Sequence, residues 1–138
     1  MKKAIKYSIL GLAALCTVLL CGGYYMLGYS LKPDDLVSRS RNIAASYDFM
    51  YERYPELHPW VDSLMTAGVL KDFYIENDRG ETLHALYVAA AHPTLKTAVI
   101  VHGYTDNAVR MLMIGYLYSK EMGFNILLPD LYGHGMSE

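Results

Sequence analysis

The sequence predicts an α/β fold: an antiparallel hairpin, then a parallel strand-helix-strand unit, preceded by a transmembrane helix and a helical arm. Three observations carry this expectation. A long uncharged apolar run, Tyr7 to Leu31, fills most of the first 31 residues. Residues 70–89 hold two stretches rich in β-branched and aromatic side chains on either side of a turn sequence. Two short apolar runs, 96–102 and 124–128, flank a stretch with helical periodicity. The expected divisions are a signal anchor over 1–31, a helical arm or linker over 32–69, and an α/β part over 70–138.

Lys2, Lys3 and Lys6 precede 25 residues without a formal charge, Tyr7 to Leu31, and Lys32 closes the run. As an α-helix that stretch would reach about 37 Å, longer than the ~30 Å hydrocarbon core of a bilayer. Lysines on the short N-terminal side place that end in the cytoplasm and send the rest across. Tyr24, Tyr25 and Tyr29 then sit near the outer end, where aromatic rings suit the interface. The expected location is the cell membrane, single-pass, with the domain outside. A cleaved signal peptide releasing a secreted domain is the competing reading. Cys21-Gly22-Gly23 and Gly28-Tyr29-Ser30 both offer small residues at cleavage spacing. A buried soluble helix is the third. Leu15 and Leu20, which precede Cys16 and Cys21, argue against a lipoprotein.

Pro33-Asp34-Asp35 reads as a helix start with Asp34 as N-cap, and Val37, Ala44, Tyr47, Met50 and Tyr54 follow at helical spacing. Pro55 ends that helix. A second over 56–67 is expected to be broken or kinked by Pro59 and to stop near Gly68, with Trp60 packing the arm onto the domain. Leu70 to Glu76 and Thr82 to Ala89 form the hairpin around Asn77-Asp78-Arg79-Gly80. Lys96 to His102 suits a central parallel strand, Asp106 to Met122 a helix ended by Gly123, and Phe124 to Leu128 a second buried strand.

Removing Lys2, Lys3 and Lys6 from the 12 basic residues leaves 9 against 14 acidic ones, a net charge of −5 with no basic stripe. Nucleic acid is therefore not an expected partner. Both cysteines lie inside the apolar run and say nothing about disulfides. His58, His84 and His92 lack metal-ligand spacing and cysteine company, so neither a zinc site nor another cofactor is expected.

Two loops carry the chemistry, because each leaves the C-terminal end of a buried strand, where open α/β sheets place their ligands. The first is His102-Gly103-Tyr104-Thr105-Asp106-Asn107. Its glycine permits a sharp turn, and a helix expected immediately beyond would reinforce the following amide as an anion site. The second is Pro129-Asp130-Leu131-Tyr132-Gly133-His134-Gly135-Met136-Ser137. "VIVHGYTDN" followed by "GFNILLPDLYGHGMSE" resembles the first loops of α/β-hydrolases, nearest to the serine aminopeptidase and esterase-like enzymes with a signal anchor. "DRGETLHALYVAA" resembles that family's first two strands. The resemblance covers roughly 70–138, so the expected fold is the N-terminal part of an α/β-hydrolase sheet.

The resemblance implies roles residue by residue. Tyr104 would supply one backbone N–H of an oxyanion hole, the other coming from the residue after the nucleophile. His102 and Gly103 would shape that turn, and Asp130, Gly133, His134, Gly135 and Ser137 would order the second loop. The implied reaction is hydrolysis of an ester or peptide bond in a small-molecule substrate, through a serine located beyond residue 138. No G-x-S-x-G elbow, acid or histidine of a triad stands in the chain, so the 138 residues alone are expected to be inactive. Thr105, where aspartate-nucleophile relatives commonly carry proline, favours serine chemistry. A membrane-anchored interaction module with half of the fold is the alternative. A dinucleotide-binding domain would want G-x-G-x-x-G, which is absent. Without a further strand, Thr97 to Val101 is expected to form an uncovered apolar edge that invites aggregation.

Overall fold

The computed structural model describes residues 2–31 and 41–138, in two units, Met1–Asp34 and Asp35–Glu138. The first is the helix α1, Lys2–Leu31. Its segment Ile5–Tyr29 is long and apolar enough to cross a bilayer. Ile9, Leu12, Val18, Leu20 and Tyr24 are all exposed on it. A helix apolar around its whole circumference has no face suited to water. The one hydroxyl in its middle, Thr17, donates to the Ala13 carbonyl at 3.0 Å and so stays satisfied without solvent.

The second unit is mixed α/β around one four-stranded sheet. α2 spans Ile43–Arg53, and the Asn42 side chain accepts from the Ala45 N–H at 3.0 Å to cap it. The start expected at Asp34, and Val37 with it, lie outside the described residues. α3 spans Leu57–Thr66 without a break at Pro59, which corrects the expected kink. Pro59 stands in the first turn, where its missing N–H would have had no helical partner.

Four strands follow: β1 Leu70–Glu76, β2 Thr82–Val88, β3 Thr97–Val99 and β4 Asn125–Pro129. Their spatial order is β1-β2-β4-β3. β1 and β2 form the antiparallel hairpin, in register from Leu70↔Val88 to Glu76↔Thr82. β2 lies antiparallel to β4 (Leu86↔Leu128, Val88↔Ile126), and β3 runs parallel to β4 (Thr97↔Asn125, Val99↔Leu127). The central strand of the parallel pair is thus β4. β3 is shorter than the sequence implies, although the Ile100 N–H still reaches the Leu127 carbonyl at 2.9 Å.

Between β3 and β4 the expected seventeen-residue helix is absent. An α-helix α4 spans only Leu112–Tyr116 and continues as a π-helical turn, Leu117–Glu121. Local polar groups compete for the backbone in the preceding stretch. Asp106 Oδ1 accepts from the Asn107 N–H at 3.0 Å, and Asn107 Oδ1 from the Arg110 N–H at 3.1 Å. The helix therefore starts eight residues after Tyr104, not immediately beyond the loop.

Leu86, Val88, Ile126 and Leu128 share one sheet face and join Met50, Leu57, Trp60, Val61, Leu64, Val109 and Leu112 in a single core. Gly115 lets α4 lie close on β4: a Cβ there would come 2.6 Å from Ile126 Cδ1. The Trp60 ring meets Tyr116 edge-on at 5.1 Å, so the arm docks on the domain as expected. Among the described residues the other face is open. Phe73 and Ile75 of β1 are 49% and 65% exposed, and Val99 and Val101 on the β3 side are 60% and 54% exposed. The β3 edge faces outward as an apolar strand without a second neighbour among the described residues.

Candidate functional site

The loops after β3 and β4 emerge side by side, because those strands are adjacent and parallel. Burial divides their residues. His102 is 3% and Asp130 4% exposed, whereas Tyr104 is 59% exposed.

His102 sets the first loop. Its Nδ1 lies 2.7 Å from the Gly103 carbonyl oxygen, and its Nε2 accepts the Leu131 N–H at 2.9 Å. A carbonyl can only accept, so Nδ1 carries the proton and Nε2 the lone pair. Both ring nitrogens are committed to backbone, which leaves His102 a shaping residue rather than a base. The Gly103 carbonyl also accepts from the Asp106 N–H at 3.2 Å. In a trans peptide the carbonyl and the next N–H point in opposite directions. Pinning Gly103 O toward His102 therefore turns the Tyr104 N–H away from that ring. Thr105 follows with φ +69°, a left-handed conformation that costs a β-branched residue about 1–2 kcal/mol. Strain of this kind clusters at functional sites.

The second loop folds around one carboxylate. Asp130 Oδ1 accepts from the Ala108 N–H at 2.7 Å, and Oδ2 from the Met136 N–H at 3.1 Å. His84 Nδ1 lies 2.6 Å from the same Oδ2. Gly135, at φ +52°, closes over the group, and a Cβ there would overlap the Asp130 carboxyl. The Ser137 hydroxyl is buried, donating to the Asp130 carbonyl and accepting from the His84 N–H, each at 2.9 Å. The Gly133 N–H reaches the Glu138 carbonyl at 3.0 Å. His134 Nδ1 lies 3.0 Å from the Tyr132 carbonyl oxygen. Its ring sits 5.3 Å from His102 and 5.8 Å from Tyr104.

The arm reaches this end of the sheet as well. Asn107 Nδ2 donates to Ser46 Oγ at 2.7 Å, and the Arg110 guanidinium lies over the Phe49 ring at 4.5 Å. α2 thus braces the stretch that follows Tyr104.

Burial pushes the Asp130 carboxyl up, but the bonds from His84, Ala108 and Met136 outweigh it, and its pKa lies below the usual 3.8. Burial likewise pulls the His84 imidazole down. The bonds and charges of Asp130 and Asp72 win, leaving its pKa above the usual 6.5.

All eight residues singled out in the sequence lie in these two loops, and the structure brings Tyr104, His102 and His134 together. The expected helix N-terminus behind Tyr104 is not among their neighbours. Sequence reasoning missed His84, which holds Asp130 from the sheet, and Asp72, which holds the other ring nitrogen of His84. A signal existed: period-two alternation puts His84 on the buried face with Leu86 and Val88, where a histidine needs a partner. No protein-family model and no curated protein sequence matches the chain.

Proposed function

We propose that this chain forms the oxyanion side of a membrane-anchored α/β-hydrolase that cleaves ester or peptide bonds through a serine beyond residue 138. The observation that supports it most is the Gly103–Tyr104 peptide, whose carbonyl is held by His102 and whose N–H is thereby turned the other way. Such a fixed N–H stabilises developing negative charge without reorganising during the reaction. In an α/β-hydrolase one oxyanion donor comes from the loop after the third strand, and Tyr104 follows β3 here. The open β3 edge further supports the reading, since a parallel strand added there would bring its C-terminal end beside Tyr104. Serine stands ahead of an aspartate nucleophile because of Thr105. The N-terminal helix would hold the enzyme at the bilayer, with the domain outside the cytoplasm.

The test is covalent labelling of the protein in membranes of its own source with a fluorophosphonate, followed by peptide mapping. The expected product is one modified serine in a G-x-S-x-G sequence downstream of residue 138. An unlabelled protein would leave the anchored interaction module as the better account.

A further inference from the structure

His84 stands between two carboxylates on the buried face of β2. It is 2% exposed, with Nδ1 2.6 Å from Asp130 Oδ2 and Nε2 3.0 Å from Asp72 Oδ1 of β1. Both ring nitrogens face acceptors, so both can donate only when the ring carries two protons. A neutral ring would turn a lone pair toward one carboxylate and leave two negative charges with no cation between them. Burial makes that arrangement costly. The other titratable or charged groups nearby do not replace the imidazolium. From β1, the Tyr74 ring lies 5.1 Å away. From α2, Tyr47 is raised to about 12 by burial, then by Tyr51 and Asp72, so it stays neutral. His102 Nε2 lies 3.9 Å from Asp130 Oδ1 but already accepts the Leu131 N–H. Arg41 donates to the Ser137 carbonyl at 3.3 Å.

We propose that His84, as a buried imidazolium bridging Asp72 and Asp130, is a positioning residue that makes the order of both site loops depend on pH. The coupling follows from what Asp130 holds. One oxygen accepts from Ala108, beyond the Tyr104 loop, and the other from Met136 in the loop after β4. Loss of the second proton first frees Asp72, which is half exposed and can turn to water, whereas Asp130 cannot. Asp130 then keeps a neutral hydrogen bond but loses its counter-charge, so the closed arrangement that buries it under both loops becomes easier to open. The sign follows from the raised His84 pKa. The stabilisation is complete below the ordinary histidine value and is lost as pH rises through the folded one.

The experiment is NMR of the full chain in detergent micelles. The His84 ring is titrated through its Cε1 signal, and exchange of the Ala108 and Met136 amides is followed across the same range, corrected for intrinsic exchange. Protection of both amides should fall at least tenfold, with one midpoint shared with His84. In Asp72→Asn that midpoint should move to lower pH and carry the amide step with it. In His84→Gln the step should vanish, with Phe73 and Ala85 amides reporting whether the hairpin persists. Protection that stays flat while His84 titrates would overturn the proposal. A step that stays in place when Asp72→Asn moves the His84 midpoint would do so too, whether or not His84→Gln folds. None of these readings needs a nucleophile, so the outcome is independent of the hydrolase reading.

Discussion

The loops after β3 and β4 sit on neighbouring strands and have opposite physical characters. The second is wound around a buried carboxylate, with three donors on Asp130 and a hydroxyl, Ser137, stitching it to β2. The first presents Gly103 and Tyr104 outward, and carries its strain at Thr105. His102 joins them, giving one ring nitrogen to each loop. The difference teaches a division of labour: one loop is a brace, and the other is the surface the brace holds in place. Charge follows the same division, since buried charge belongs to the brace while the exposed loop offers backbone.

Removing the Asp130 carboxylate should do the most damage. Asp130→Ala leaves His84 and two amides without their acceptor, and breaking a buried pair in this way costs about 3–5 kcal/mol. A Tm lowered by many degrees in micelles is the expected result. A fall of only a degree or two would mean that the brace is not built on this group. Gly135→Ala comes next. The new methyl would overlap the Asp130 carboxyl and sit at a left-handed φ, so a loss of roughly 2–3 kcal/mol is expected in denaturant unfolding. The smallest effect, of opposite sign, should come from the other loop. Thr105→Gly relieves the left-handed strain and should stabilise the fold by up to about 1 kcal/mol, after the entropy cost of glycine. Destabilisation by Thr105→Gly would show that the threonine side chain holds the turn, and the contrast between loops would blur.

Much of this architecture was legible in the residues. The β-branched and aromatic stretches 70–76 and 82–89 and the turn at Asn77–Gly80 gave the hairpin to within a residue, because strand preference and turn chemistry act locally. The apolar runs gave β3 and β4, and the two loops follow from them. The helix between was misread. Val109, Met111, Leu112 and Ile114 have helical spacing, but Asp106 and Asn107 bind nearby backbone and Asp130 takes the Ala108 N–H from a distance of 22 residues in sequence. Such a long-range acceptor leaves no trace in local periodicity. The same holds for His84 and Asp72: a register pairing that brings Asp72 opposite Leu86 exists only once the sheet is built. Pro59 has the composition of a helix breaker, and its harmless place within the first turn of α3 depends on where the chain turns at Pro55.

The hydrolase reading assigns the work at residue 104 to backbone, and a pair of substitutions separates backbone from side chain. In the protein carrying its downstream serine, Tyr104→Phe should leave p-nitrophenyl ester hydrolysis close to that of the parent. Tyr104→Pro, which like Tyr104→Phe lacks the ring hydroxyl but also lacks the backbone N–H, should lower kcat by about 10²–10³ relative to Tyr104→Phe with KM little changed. Equal activity of the proline variant and the parent would contradict the account.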